Sequence, residues 1–302
     1  MIETPTTFIL GAGASIPYRY PSGLSLLQMI VKEIQEGGDL RQCLKACGCA
    51  DTQMVAFGDA LKLSGRTSVD AFLEHRNEFI EVGKAAIAGI LMRYEHVHDF
   101  YVADRNWYKY LFNLMCTSFD EFHRNPIGFI TFNYDRSLEE FFYQCLKNSF
   151  NKSDAEICTA MGNIPIVHVH GQLCRLPWET NRDNRPVRRY EAVTSDVDAI
   201  KKSAQQIQII HENGVTLNPE FARAKELLQT TKRIIFLGFG FHKSNMRRLG
   251  MERVGNTPRA YSSRFGVTNL EVSRLKHLYN GVNFLGLETN DVLDVLRNEI
   301  IV

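Results

Sequence analysis

The sequence predicts an α/β fold: a Rossmann-like open parallel sheet with helices on both faces and an inserted all-helical subdomain. Three short apolar segments carry this prediction, because each has the pattern of a buried strand and ends in small or polar residues. The segments are 8–10, 128–130 and 164–169. Open α/β sheets bind ligands in the crevice at the carboxyl ends of their strands. The residues that follow the three segments are therefore the first candidates for a binding site.

The composition indicates a globular protein without a strong electrostatic preference. The 302 residues are 44% hydrophobic and 23% charged, with a net charge of +1. So small a charge favours neither nucleic acid nor an anionic membrane. The longest apolar run, 85–92, is too short to span a bilayer, and the N-terminus lacks the pattern of a signal peptide. The seven scattered cysteines indicate free thiols in a reducing compartment, so we expect a cytoplasmic protein.

The region between the first two strands has helical periodicity only. A helix is expected to begin after Ser22, and two longer helices are expected from Ser68 towards Tyr94 and over 104–122. Because this block interrupts the alternation of strands and helices, we interpret it as an insertion packed beside the sheet. The predicted division is a Rossmann-like domain over 1–36 and 125–302 and a helical insertion over 37–124.

The alternation of strands and helices resumes in the second half of the chain. Ser137 and Thr268 each stand three residues before a glutamate, which is the spacing of a capping box at the start of a helix. The Arg- and Pro-rich segment 174–190 is expected to be a loop. The other predicted elements are strands at 233–237 and 282–285 and a final helix over 290–300.

The first strand runs into Gly11-Ala12-Gly13-Ala14-Ser15. Glycine at a strand–turn–helix junction lets backbone N–H groups approach a pyrophosphate near the positive end of the helix. The usual dinucleotide fingerprint has glycine or alanine where Ile16 stands, so a standard Rossmann dehydrogenase is not expected. The alternative is a tight structural turn.

Two other strand ends carry residues suited to a nucleotide. Asn133 and Asp135 follow the second strand, where asparagine can bond a ribose hydroxyl or hold a water molecule. The alternative is a helix cap or turn, which both residue types often form. Gly238 and Phe239 follow a later strand, where the backbone can pass close to an adenosine, or simply turn.

His168 and His170 lie on the third strand, two residues apart. Because side chains alternate along a strand, we expect both to point to the same face. His170 stands at the strand end before Gly171, where a general base would be placed. His168 lies deeper and is expected to be a hydrogen-bonded core residue, and two histidines are too few for a metal site.

A group of arginines falls in the predicted loop: Arg182, Arg185, Arg188 and Arg189. A solvated loop is one interpretation, and contact with a partner or a polynucleotide is the other. With so little net charge, we expect nucleic acid to be bound only indirectly or weakly.

Together and in order, these pieces resemble the sirtuin superfamily. Gly-Ala-Gly-x-Ser, Thr-x-Asn-x-Asp, His-Gly and a late Gly-x-Gly strand end are the NAD-binding signature of that family. The matching stretches are 8–20, 127–136, 164–171 and 233–241. The resemblance implies NAD as substrate, with Asn133 and His170 as catalytic residues. It also implies that Gly11, Ala12, Gly13 and Ser15 hold the pyrophosphate, Asp135 supports the ribose pocket, Gly238 and Phe239 line the adenosine side and Arg19 clamps a phosphate.

The sequence departs from sirtuin deacylases in one large feature. Those enzymes carry a zinc module of two Cys-x-x-Cys pairs after the His-Gly strand, and here only Cys174 lies nearby. We therefore expect no zinc. The residues Phe132 and Tyr134, the turn at Pro21 and the helical insertion look more like the sirtuin-like NADase domains of bacterial antiphage defence systems.

That closer resemblance implies a NAD glycohydrolase that cleaves the nicotinamide–ribose bond and depletes NAD in abortive infection. It also implies a homo-oligomer, and some stand-alone domains of this kind assemble with a HerA-type ATPase. The alternatives are a NAD-dependent protein deacylase and a regulatory module that binds NAD or ADP-ribose without turnover. A nuclease is suggested only by the arginines, since no carboxylate cluster that would hold Mg²⁺ is apparent.

Overall fold

A six-stranded, all-parallel sheet forms the centre of the computed structural model, which describes residues 1–116, 118–179, 184–191, 196–209, 218–252, 259–298 and 300. The predicted fold class is confirmed, because helices surround this sheet. The third strand is shorter than expected, and one strand was not anticipated from the sequence, β5. The strands are β1 Thr6–Leu10, β2 Ile127–Thr131, β3 Ile166–His168, β4 Arg233–Leu237, β5 Arg259–Ser263 and β6 Val282–Leu285.

The strand order β3-β2-β1-β4-β5-β6 places the switch in winding direction between β1 and β4. Ligands of doubly wound folds bind at this point, outside the carboxyl ends of the strands. Leu10 pairs with both Thr131 and Leu237, so β1, β2 and β4 end at the same level. The turns that follow these strands therefore meet at one edge of the sheet.

The described residues form fifteen α-helices, which cover both faces of the sheet. The last predicted helix is shorter than expected, and the helix after Ser22 is confirmed, with the Ser22 hydroxyl accepting from Ser25 N–H. The helices are α1 Gly23–Glu36, α2 Asp39–Ala46, α3 Asp51–Leu63, α4 Val69–Leu73, α5 Ile80–Leu91, α6 Asp99–Val102, α7 Trp107–Met115, α8 Phe119–Phe122, α9 Ser137–Phe150, α10 Asp154–Met161, α11 Val197–Gln206, α12 Pro219–Gln229, α13 Lys243–Arg248, α14 Asn269–Leu278 and α15 Val292–Asn298.

The two long helices expected between β1 and β2 are each broken. The first is α4 and α5, separated by non-helical backbone at Arg76, and the second is α7 and α8. Ser118 begins α8 with a capping box, which stops α7 from continuing. Apolar periodicity alone missed both breaks because the buried spacing continues across them. Among the described residues of the segment 37–124, none is in a strand.

Alternate residues of the strands enter two apolar layers. Phe8 and Leu10 pack on the side of α1, α5 and α9, whereas Ile9 packs on the side of α12 and α13. The helices between β1 and β2 share the first layer with the sheet, so the region predicted as an insertion is buried against it. No helix among the described residues is long and apolar enough to cross a bilayer.

Candidate active site

Two adjoining pockets lie at the carboxyl edge of the sheet, and they share the lining residues Asp70 and Phe132. The Asn133 pocket is also lined by Ala12, Ser15, Tyr20, Asn133 and Asp135. The His170 pocket is also lined by Ser68, Glu74, His170, His242 and Asn245. A larger cavity of about 170 Å³ lies at the β3 edge, but none of the predicted site residues lines it. The two smaller pockets are therefore the candidate active site, because predicted site residues line them.

Close packing of two turns explains the glycines after β1 and β4. A Cβ at Gly13 would lie 2.7 Å from the Cα of Gly238, and one at Gly11 would overlap the Gly238 carbonyl oxygen. Gly238 itself has a φ of +57°. The N–H groups of Gly11 and Gly13 donate to the carbonyls of Leu237 and Gly238. This geometry favours a structural turn for the two glycines, and their contact with a pyrophosphate stays a prediction.

Asn133 is tied to Ser15 and Asp135 by a chain of hydrogen bonds. Its Nδ2 donates to the Gly11 carbonyl and to Ser15 Oγ, each at 3.0 Å. Ser15 Oγ donates to Asp135 Oδ2 at 2.8 Å. Three predicted site residues thus come together, although they lie on two turns far apart in the sequence.

Asp135 is buried within this network and also lines the Asn133 pocket. Burial raises the pKa of its carboxyl above the ordinary value, while hydrogen bonds from Ser137 and Ser15 oppose that shift. Ser137 donates both its N–H and its hydroxyl to Asp135 Oδ1. The capping box expected at Ser137 is therefore wrong: this serine is the first residue of α9 and serves the aspartate instead. The capping box expected at Thr268 is confirmed.

His168 is a buried residue with both ring nitrogens engaged. Nε2 lies 2.5 Å from Glu139 Oε1, and Nδ1 lies 2.9 Å from the Asn133 carbonyl oxygen. Burial lowers the pKa of His168, but the Glu139 charge and hydrogen bond outweigh burial and raise it above the ordinary value. The prediction of a hydrogen-bonded core histidine is confirmed.

His170 lies beyond the end of β3, where the chain turns through Gly171 at a φ of +78°. Its ring contacts Phe132 and Phe221, which belong to the apolar layer on the face opposite α9. The expectation that His168 and His170 share a face is therefore wrong, because the strand stops before His170.

His170 is 7% exposed, and among the described residues none gives its Nδ1 a hydrogen-bond partner. Burial lowers the pKa of His170 below the ordinary value. A neutral imidazole that lines a pocket and has a spare nitrogen is suited to accept a proton.

Asp70 is a residue of the pockets that the sequence analysis missed. It lies in α4, whose first turn is capped by Ser68, and it accepts a hydrogen bond from the Tyr134 hydroxyl. The sequence signalled only a helix start here. Nothing in local spacing shows that this helix reaches the carboxyl edge of the sheet.

The predicted residues Arg19 and Phe239 line neither of the two pockets. Arg19 has a φ of +69° and an exposed side chain that pairs with Asp99 at 3.2 Å. Phe239 is buried in an aromatic cluster, with its ring 5.0 Å from that of Phe132. Phe239 thus supports the wall that Phe132 presents to both pockets.

The arginine loop is partly a buried ion network. Arg188 is 7% exposed and donates to both oxygens of Glu95, which Arg136 also contacts. Arg188 fits neither a solvated loop nor a polynucleotide contact, because its guanidinium is buried and paired with Glu95. Arg185 pairs with Glu220 at 3.5 Å, and Arg182 lies outside the described residues.

No group of three or more potential metal ligands converges in the part of the chain that the structure describes. The seven cysteines are free thiols. Cys174 is buried, with its Sγ 3.5 Å from Ser203 Oγ.

The strand order and the crevice at its switch point define a Rossmann-like α/β fold. Residues 128–264 match the family model of the SIR2-like domain. This part of the chain, which contains Asn133, His170 and Gly238, is similar to SIR2-like domains, and the similarity points to NAD-related activity. No curated protein matches the chain.

Proposed function

We propose that this protein is a NAD glycohydrolase that cleaves the bond between nicotinamide and ribose. One observation carries the proposal: His170, a buried neutral imidazole whose Nδ1 has no partner within the described part of the chain, lines a pocket that adjoins the Asn133 pocket. The similarity of residues 128–264 to SIR2-like domains supplies the substrate class.

The proposed reaction requires little acid catalysis, because nicotinamide leaves as a neutral group from a cationic substrate. The glycosidic bond breaks, its electron pair goes to nicotinamide, and an oxocarbenium-like ribose is left to be stabilised. A water oxygen then bonds to the ribose, or an internal nucleophile closes a cyclic product. His170 receives the proton that the nucleophile loses.

Asn133 would orient the ribose and the attacking water. Its Nδ2 is engaged by Gly11 and Ser15, so Oδ1 is the atom through which it would accept a hydrogen bond. Because Ser15 and Asp135 hold this amide, its geometry is set before substrate arrives, which favours catalysis by positioning.

Three wider proposals rest on the resemblance to antiphage NADase domains. The enzyme would act in the cytoplasm and deplete NAD during abortive infection. It would work as a homo-oligomer, with a HerA-type ATPase as a candidate partner. Its part in defence is testable by phage challenge of cells that express the wild type or His170→Ala.

The test of the activity is nicotinamide release from NAD by the purified chain, measured by chromatography at several protein concentrations. His170→Ala is the inactive variant, and His277→Ala, which removes an exposed histidine on α14, is the matched control. Release by wild type and His277→Ala, but not by His170→Ala, supports the proposal. Release only in the presence of an acyl-lysine peptide would indicate a deacylase. NAD binding without release, in the presence and absence of partners, would indicate a regulatory module.

A further inference from the structure

Asp70, in α4, is the residue through which the helices between β1 and β2 contribute to both pockets. Its carboxylate lines both the Asn133 pocket and the His170 pocket, and Phe132 is the other residue that the two share. A carboxylate at this junction faces both the residue that orients substrate and the residue that takes a proton.

Tyr134 attaches Asp70 to the segment that carries Asn133. Its hydroxyl donates to Asp70 Oδ1. Burial raises the pKa of Tyr134 well above its ordinary value, so the hydroxyl remains a donor at neutral pH. Asp70 is therefore held in place by a residue adjacent to Asn133.

Several charged groups face His170. Asp70 and Glu74 approach from α4, Arg248 from α13, and His242 lines the same pocket. Arg248 Nη1 lies 2.9 Å from Glu74 Oε1, so these two charges offset each other at the imidazole. The Asp70 carboxylate is then the main charge opposing the effect of burial on His170.

We propose that Asp70 is a positioning residue for His170, whose carboxylate stabilises the imidazolium formed when His170 takes up a proton. The pairing of the two side chains stands on their shared pocket, while its role in turnover rests on the proposed NAD hydrolysis. The proton moves from water or a ribose hydroxyl to His170. A base oriented by a second group is a recurrent arrangement in enzymes.

The pairing is tested by NMR titration of the His170 imidazole in the full chain, assigned by its loss in His170→Gln. Asp70→Asn is expected to lower the pKa of His170 by about half a unit or more, since it removes an opposite charge. Asp59→Asn, which neutralises an exposed carboxylate on α3, is the matched control and should leave that pKa unchanged. Equal values for His170 in wild type and Asp70→Asn would overturn the pairing.

The kinetic readout separates positioning from simple substrate binding. In Asp70→Asn, kcat for nicotinamide release is expected to fall about tenfold with little change in KM, and the acid limb of its pH profile should move to lower pH. A rise in KM alone would overturn the proposal. If the wild type releases no nicotinamide, the proposed function fails, while the NMR titration still decides the pairing.

A second variant covers the case in which Asp70→Asn does not fold. Tyr134→Phe keeps the Asp70 charge but removes the hydrogen bond that satisfies it. The pKa of His170 is then expected to rise, because the carboxylate attracts the imidazolium more strongly. An unchanged pKa in a folded Tyr134→Phe protein would contradict the proposal.

Discussion

His168 and His170 are two residues apart, yet the structure surrounds them in opposite ways. Glu139 and the Asn133 carbonyl engage both nitrogens of His168, and the pKa of that imidazole is raised. His170 is equally buried, but its Nδ1 has no partner among the residues that the structure describes, and its pKa is lowered. One histidine is therefore a fixed part of the protein interior, whereas the other is poised to exchange a proton in a pocket.

The difference arises from the end of a strand. His168 is the last residue of β3, and its ring contacts Glu139 in the first turn of α9. Beyond it the chain turns at Gly171, where a Cβ would overlap the Gln206 carbonyl oxygen, so only glycine fits. That turn carries His170 to the other apolar layer. Both histidines are buried, so burial does not distinguish them, whereas their hydrogen-bond partners do.

The largest effect is expected on stability from His168→Ala. This change leaves Glu139 as a buried carboxylate without its partner, which costs about 3–5 kcal/mol of unfolding free energy. Urea denaturation followed by circular dichroism measures it. Restoration of stability in the double variant His168→Ala, Glu139→Gln would confirm the cause, and a loss below 1 kcal/mol would show that the pair is not a structural unit.

The next effect is expected on turnover from His170→Ala. Loss of a general base lowers nicotinamide release by about 10²-fold or more, while the chain stays folded because no hydrogen bond to Nδ1 is lost. Initial rates and a thermal melt are measured on the same preparation. Retention of full activity would remove His170 from the mechanism.

Asn133→Ala tests the comparison further, because Asn133 contacts His168 through its backbone and lines the pocket next to that of His170. Its backbone carbonyl lies within hydrogen-bond distance of His168 Nδ1, and its side chain lines the Asn133 pocket. The backbone contact survives the substitution, so we expect about a 10²-fold loss of activity but only about 1 kcal/mol of destabilisation from the lost side-chain bonds. A loss of stability as large as that of His168→Ala would assign Asn133 to the structural region.

The smallest effect is an opposite dependence of stability on pH at the two histidines. The raised pKa of His168 contributes stability that is present below about pH 6.5 and is lost as pH rises through its folded-state value. The lowered pKa of His170 contributes stability that is present above about pH 6.5 and is lost as pH falls through its folded-state value.

Unfolding free energies at pH 5 and pH 8 test these signs. Relative to wild type, His170→Gln should lose less stability on acidification, and His168→Gln should lose less on going from pH 5 to pH 8. If both variants changed the pH dependence of the unfolding free energy in the same direction, the environments of the two histidines would not be opposite.

Much of the fold was predictable from the sequence because it depends on local patterns. Apolar runs located β1, β2 and β4, and the Thr268 spacing located the start of α14. The same kind of spacing failed at Ser137, where a buried aspartate two residues earlier competes for the hydroxyl. A capping-box pattern predicts correctly where only solvent competes for the serine or threonine hydroxyl. It fails where another buried group accepts a hydrogen bond from that hydroxyl.

By itself, the sequence determined the class of fold, the edge of the sheet that carries Asn133 and His170, and the resemblance to sirtuins. Tertiary structure alone decided that the glycines after β1 pack against Gly238, that the two histidines face opposite layers, and that Asp70 joins the pockets. The physical reason is the separation of the interacting residues along the sequence. Strand and helix patterns arise between residues a few positions apart, whereas contacts such as Tyr134 with Asp70 depend on how distant segments pack together.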